Sequence, residues 1–205
     1  MDKITILSEI RAFDSYFKVD KALVSHDKED GTTETYSRYK LTRPDAVAVL
    51  ILNKDTEKVT LVKQFRYPIA NREPNGVLEI VAGKMDEGET PEETAIREVM
   101  EEVGYKIDSS CLSIPTIAYA SPGYSSEKVY SYIATVNNSM KVSEGGGVET
   151  EHESLDIIEI DAQKFMEMVR DGEIVDSKTL IAAHNLFLQS VQAILESGFA
   201  IKAKI

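Results

Sequence analysis

The sequence predicts an α/β protein in which a mixed sheet is sandwiched by helices, with an N-terminal β-hairpin extension. Three observations carry this. Short apolar or alternating runs recur between residues 44 and 160 and read as strands. One strongly capped helix interrupts them at Pro91, and two further helical patterns close the chain. The longest uninterrupted apolar run, Ala46 to Leu52, is far shorter than the ~20 residues that span a bilayer.

The elements follow in order. Within residues 1–42, Phe13 to Ser25 reads as extended. The turn-like His26 to Gly31 then leads into a β-rich run from Thr32 to Leu41, which together suit a hairpin. Pro44 to Asn53 reads as a strand buried on both faces. Lys58 to Tyr67 alternates as the next strand, and Gly76 to Ala82 as another. After the capped helix come strands at Ile114–Ala120, Glu127–Val136 and Leu155–Ile160. Helices are expected over 162–170, ended at Gly172, and 177–197, ended at Gly198. In the second, Leu180, Ala183, His184, Phe187, Leu188, Val191, Ile194 and Leu195 are expected to face inward. No repeat or linker divides the chain, so residues 1–42 form an extension and 43–205 one domain.

A net charge of −12 and 42% hydrophobic residues describe a chain able to bury a normal core. That charge argues against a broad nucleic-acid or anionic-membrane surface, because phosphate binding needs clustered Lys and Arg. The N-terminus has neither a basic leader nor an apolar signal core, and the expectation is a cytoplasmic protein. The single cysteine, Cys111, reads as a small hydrophobe rather than a nucleophile.

The most informative stretch is GKMDEGETPEETAIREVMEEVGY, from Gly83 to Tyr105. Thr90 and Glu93 form a capping box around Pro91, and Gly104 supplies the stop. Ala95, Ile96, Val99, Met100 and Val103 make an apolar stripe. Glu98, Glu101 and Glu102 share an arc roughly opposite it, and Glu89 can fold back toward them. Carboxylates so gathered repel one another. Arg97 offsets part of that repulsion, and a hard divalent cation would remove it.

Gly83, five residues, Glu89, seven residues and then Arg97-Glu98-Val99-Met100-Glu101-Glu102-Val103-Gly104 resembles the Nudix box. Every fixed position is present, and only Tyr105 departs from the usual bulky aliphatic. The resemblance implies a Nudix-type α/β/α sandwich and Mg²⁺-dependent hydrolysis, with Mn²⁺ as an alternative ion. The substrate class it implies is nucleoside diphosphates linked to another moiety. By the same resemblance Glu98, Glu102 and the Ala82 carbonyl hold metal, Glu101 assists, and Arg97 orients the carboxylates. The N-terminal sheet, by analogy with sugar-nucleotide members, implies a homodimer.

Three further segments carry chemistry. Gly145-Gly146-Gly147 followed by an acidic run reads as a mobile loop before a strand. The resemblance to ADP-ribose-type members assigns Glu151 as base and Glu153 as metal ligand, with Glu149 the fallback. Ser121-Pro122-Gly123 reads as a type II turn. It also resembles a segment of those enzymes in which Pro122 and Gly123 flank the substrate and Glu127 approaches the ribose or a phosphate-bound metal. Gln64 to Tyr67 and Leu78 to Gly83 resemble the strand pair leading into the box, with Arg66 and Glu79 as substrate contacts; a guanidinium fork suits phosphate. The GGGVE, Asp171–Ile174 and Asp176–Thr179 stretches resemble the GDP-mannose branch equally.

The leading expectation is therefore a pyrophosphatase that cleaves ADP-ribose to AMP and ribose 5-phosphate. The alternatives are GDP-mannose or a broader set of nucleotide sugars and, in a different class, a non-catalytic ADP-ribose-binding module.

Overall fold

The computed structural model describes residues 2–147 and 155–196. The chain divides into two compact units, residues 1–45 with 118–129, and residues 46–117 with 130 onward.

The first unit is built on three antiparallel strands, β1 (Lys3–Asp14), β2 (Lys18–Asp27) and β3 (Thr33–Thr42), in that order. The expected hairpin is β2–β3. Strand β1 is an addition that the sequence pattern conceals, because period-2 alternation marks a strand only when one face is buried. All twelve β1 residues are exposed, Ile4, Ile6, Leu7, Ile10 and Phe13 among them. Its register also shifts between Ile6 and Ser8 and between Arg11 and Phe13. The three strands are tied by Asp20, a buried carboxylate that accepts from Arg11 Nε at 2.5 Å and from Thr42 Oγ1. These bonds, Thr42 first and then Arg11, hold its pKa down to about 2.

The remaining elements are β4 (Ala46–Asn53), β5 (Lys58–Gln64), β6 (Val77–Glu79), β7 (Val81–Lys84), α1 (Pro91–Val103), β8 (Thr116–Tyr119), β9 (Lys128–Val136), β10 (Asp156–Asp161), α2 (Ala162–Arg170) and α3 (Ser177–Glu196). The sheet runs β10-β5-β4-β9-β8, with β6 paired to β5 and β7 to β4. β4 is the central strand and is buried almost throughout, as its unbroken apolar run requires. Successive side chains leave opposite faces. Val47, Val49 and Ile51 therefore join Val62, Val81, Ala95, Val99 and Val103 in the core under α1. Ala48 and Leu50 point the other way and are equally buried, and α3 packs on β4. Helices thus cover both faces, as expected.

Two expectations need correction. The strand anticipated over 76–82 breaks at Ile80, whose N–H leaves the ladder and donates to Thr179 Oγ1 at 3.0 Å. In α3, Ala182 and Ala183 are buried, whereas His184, Phe187, Leu188 and Leu195 are exposed. Among the described residues, the buried positions of this 20-residue helix, Thr179, Ala182 and Ala183, lie in its first two turns, while Leu186 and Val191 farther along are half-buried.

Candidate active site

The box helix begins as its sequence dictates. Thr90 Oγ1 accepts from the Glu93 amide at 3.2 Å, and Glu93 Oε2 accepts from the Thr90 amide at 2.9 Å. Gly104 ends the helix at φ 67°, in the left-handed region. Tyr105, the one departure from the box pattern, is buried in the core. Its hydroxyl takes a long bond from Asn53 Nδ2 (3.4 Å), and Lys141 Nζ lies 5.1 Å from its ring centroid.

The carboxylates are not where the helical wheel puts them. Glu98 and Glu102 are buried beside Ala95 and Val99, and Met100 is exposed instead. The cause lies outside the helix. A side chain at Gly83 would place its Cβ inside the Glu98 carboxylate, and Ala82 N donates to Glu102 Oε1 at 3.4 Å. The bare backbone of β7 thus makes room for two carboxylates that polarity alone assigns to solvent.

Arg97 organises the other acids. Its Nε and Nη2 donate to the two oxygens of Glu89, each at 3.0 Å. Nη1 donates to Glu98 (2.7 Å) and Glu101 (3.1 Å), and Nη2 also reaches the Lys84 carbonyl at 3.3 Å. Every nitrogen of the fork is engaged. Glu89 folds back as anticipated and takes a further bond from Thr94 Oγ1 at 2.8 Å. The Arg97 hydrogen bonds depress the Glu89 pKa to about 2, and Glu89 in turn raises that of Arg97.

This donor set fits a hard divalent cation. Glu98 and Glu102 present carboxylate oxygens from successive turns against one backbone stretch. Among the described residues no three acidic, His or Cys side chains gather tightly enough to enclose an ion by themselves. Mg²⁺ suits such an open pair, since it keeps several waters and uses only one or two carboxylates.

A second cluster precedes the box. Arg66 Nε and Nη2 donate to the two oxygens of Glu79 at 2.7 and 2.8 Å, and Lys178 Nζ lies 3.2 Å from Glu79 Oε2. Glu79 is buried, so its charge is matched by two cations. Lys178 also donates to Asp176 Oδ1 at 2.6 Å, while Asp176 Oδ2 accepts from the Thr179 amide and hydroxyl. Burial works against the Lys178 charge, yet Asp176 and Glu79 outweigh it and its pKa is raised. The sequence points to Arg66 and Glu79 but not to their partner Lys178, although the Asp176–Thr179 stretch stands out in it. The signal was available: an Asp that caps α3 with a Lys two residues on.

Pro122, Gly123 and Glu127 lie in the first unit. The turn closes with bonds from the Tyr124 and Ser125 amides to the same Ser121 carbonyl. Gly123 is not at positive φ, so the expected type II turn is replaced by a helical-type one. Glu127 Oε1 is 3.7 Å from Arg43 Nη2. Glu149, Glu151, His152 and Glu153 lie outside the described residues.

Comparison with known proteins decides the family: residues 42–176, more than half of the chain, match the NUDIX domain. The chain belongs to the NUDIX family. Full-length relatives agree. GDP-mannose pyrophosphatases of Cronobacter sakazakii and Enterobacter sp. are 32% and 30% identical, covering 92% and 93% of this chain and 95% and 98% of theirs. That of Yersinia enterocolitica is 33% identical over 82% of this chain and 86% of its own. The crystal structure of an ADP compounds hydrolase superposes with a TM-score of 0.69, 21% identity and 96% coverage of both chains, and shares the fold. This NUDIX chain is a pyrophosphatase of the divalent-metal-dependent kind. None of its described helices is long and apolar enough to cross a membrane.

Proposed function

We propose that this NUDIX chain hydrolyses the pyrophosphate bond of GDP-mannose with Mg²⁺, releasing GMP and mannose 1-phosphate. The observation that carries this reading is the near-complete coverage, in both chains, of relatives named for that substrate. It displaces ADP-ribose from first place, because the ADP compounds hydrolase is similar at 21% identity, a level that speaks for the fold. ADP-ribose is the second reading, kept by the Pro122 segment.

In this reading Glu98, Glu102 and the Ala82 carbonyl hold the metal. When bound, the ion neutralises diphosphate charge and acidifies a water. Arg97 keeps Glu98 and Glu101 in one orientation and is itself fixed by Glu89. Glu151 serves as base and Glu153 as a further ligand. Arg66 and Lys178 supply positive charge for the diphosphate. Glu79 sets the direction of the Arg66 fork, and the family resemblance alone supports Pro122, Gly123 and Glu127 as substrate contacts. The 1–42 extension associates two copies through the exposed apolar residues of β1, and the protein is cytoplasmic.

A panel of GDP-mannose, ADP-ribose, UDP-glucose and NADH, assayed with Mg²⁺ for phosphate-monoester products, tests the substrate. A kcat/KM highest for GDP-mannose is expected, and a tenfold preference for ADP-ribose would reverse the assignment. Light scattering after gel filtration tests the dimer, which a monomeric mass would exclude.

A further inference from the structure

The box helix is held at its C-terminal end by a strap that no part of the proposed chemistry uses. The last carbonyls of a helix have no partner within it. Here, residues 141–147 supply partners for four consecutive ones. Gly147 N donates to Glu101 O at 3.2 Å and Gly146 N to Glu102 O at 2.8 Å. Lys141 Nζ donates to Val103 O at 2.7 Å, and Val142 N to Gly104 O at 2.9 Å. Two of these carbonyls belong to Glu101 and Glu102, whose side chains are the assisting acid and a metal ligand of the proposed function, on which this inference rests.

The approach demands glycine. Gly145, Gly146 and Gly147 have φ of 72°, 111° and 84°. A Cβ on Gly145 would stand 2.5 Å from Glu102 O and 2.6 Å from Val103 Cα, closer than carbon contacts allow. The glycines therefore bring the strap into contact with the backbone of the very residue that carries a buried carboxylate.

We propose that the Gly145–Gly146–Gly147 strap is a positioning element for the metal site: it fixes the backbone of Glu101 and Glu102 and thereby the placement of the Glu102 carboxylate. Helix ends fray unless tied, and a displaced backbone moves its side chain with it. Loosening the strap then weakens metal binding without removing any ligand.

The test compares wild type, Gly145→Ala and Gly146→Ala by Mn²⁺ titration, reading free Mn²⁺ by electron paramagnetic resonance. Gly172→Ala is the control, because Gly172 also has positive φ (78°) with open space around it but sits beyond α2. Both strap variants are expected to raise the half-saturating Mn²⁺ concentration about tenfold. They are also expected to lower kcat more than they change KM, and excess metal restores part of the rate. Gly172→Ala is expected to lose melting temperature alone. Should Gly145→Ala fail to fold, Gly146→Ala carries the test, since a Cβ there meets nothing within 4 Å. Wild type that binds Mn²⁺ alongside strap variants that bind it equally overturns the strap. Wild type that binds none overturns the metal reading, and the strap with it.

Discussion

Gly83→Ala adds one methyl group and removes no chemical function, yet it is expected to disable this NUDIX enzyme. The new Cβ falls within the Glu98 carboxylate, so Glu98 must give up its 2.7 Å bond from Arg97 Nη1 and turn away from Glu102. For stability, two terms oppose each other. Gly83 is not at positive φ, so alanine fits the backbone and restricts the unfolded chain, a gain of about 0.4–1 kcal/mol. The lost charge-assisted bond costs about 1.5–3 kcal/mol if dry. With the Arg97 side chain 30% exposed, screening reduces that to about 1 kcal/mol. The two nearly cancel, and the melting temperature should move by no more than about 2–4 °C in a chain of this size. Activity has no such offset. Misplacing a functional group by about 1 Å costs on the order of 100-fold, so kcat/KM for GDP-mannose should fall by that factor. Steady-state kinetics with saturating Mg²⁺, run beside a thermal melt, separates the two effects. A well-folded Gly83→Ala protein with wild-type kcat/KM would refute the reasoning.

Glu102→Gln should lower turnover by about 100-fold or more with the fold intact by circular dichroism, and wild-type rates would remove Glu102 from the metal site. Glu151→Gln should cut kcat while leaving Mn²⁺ affinity in place; an unchanged rate moves the base to Glu149 or Glu153. Arg66→Ala leaves the buried Glu79 with Lys178 alone, so a stability loss of about 1–3 kcal/mol should accompany a roughly tenfold rise in KM. An unaltered KM would make Arg66 purely structural. Asp20 has a folded pKa lowered to about 2, from an ordinary value of 3.8. A depressed carboxylate contributes its stability above the unfolded pKa and loses it as pH falls through the folded one. Wild type should therefore exceed Asp20→Asn in stability above about pH 4, and that margin should vanish toward pH 2. A margin independent of pH in chemical melts would contradict this.

What could be read from residues alone depended on how local its cause is. Thr90, Pro91, Glu93 and Gly104 fix the box helix through bonds spanning three or four residues, and each behaves as its type dictates. The strand β4 announced itself because seven consecutive apolar residues leave no alternative. The burial of Glu98 and Glu102 was illegible on the helix, because a hydrophobic wheel assigns carboxylates to water. The deciding residue is Gly83, on another element. Strand β1 carries no clear sequence signal, since none of its faces is buried. The inward face expected of α3 holds at Ala183 but not at His184, Phe187, Leu188 or Leu195, because periodicity reports that a helix is amphipathic, not how far its neighbour extends. Substrate choice was the least local of all. ADP-ribose and GDP-mannose signals coexist in short segments, so no single segment decides between them.

Strand β1 has one more consequence. As the outer strand of its sheet, it offers main-chain groups to any extended peptide. Its two register shifts cut that row into short pieces and add local twist. A templated strand would find matching donors and acceptors for only a few residues before falling out of step. The apolar side chains of β1 remain available across its faces. The geometry thus makes this edge a poor template for a long added strand.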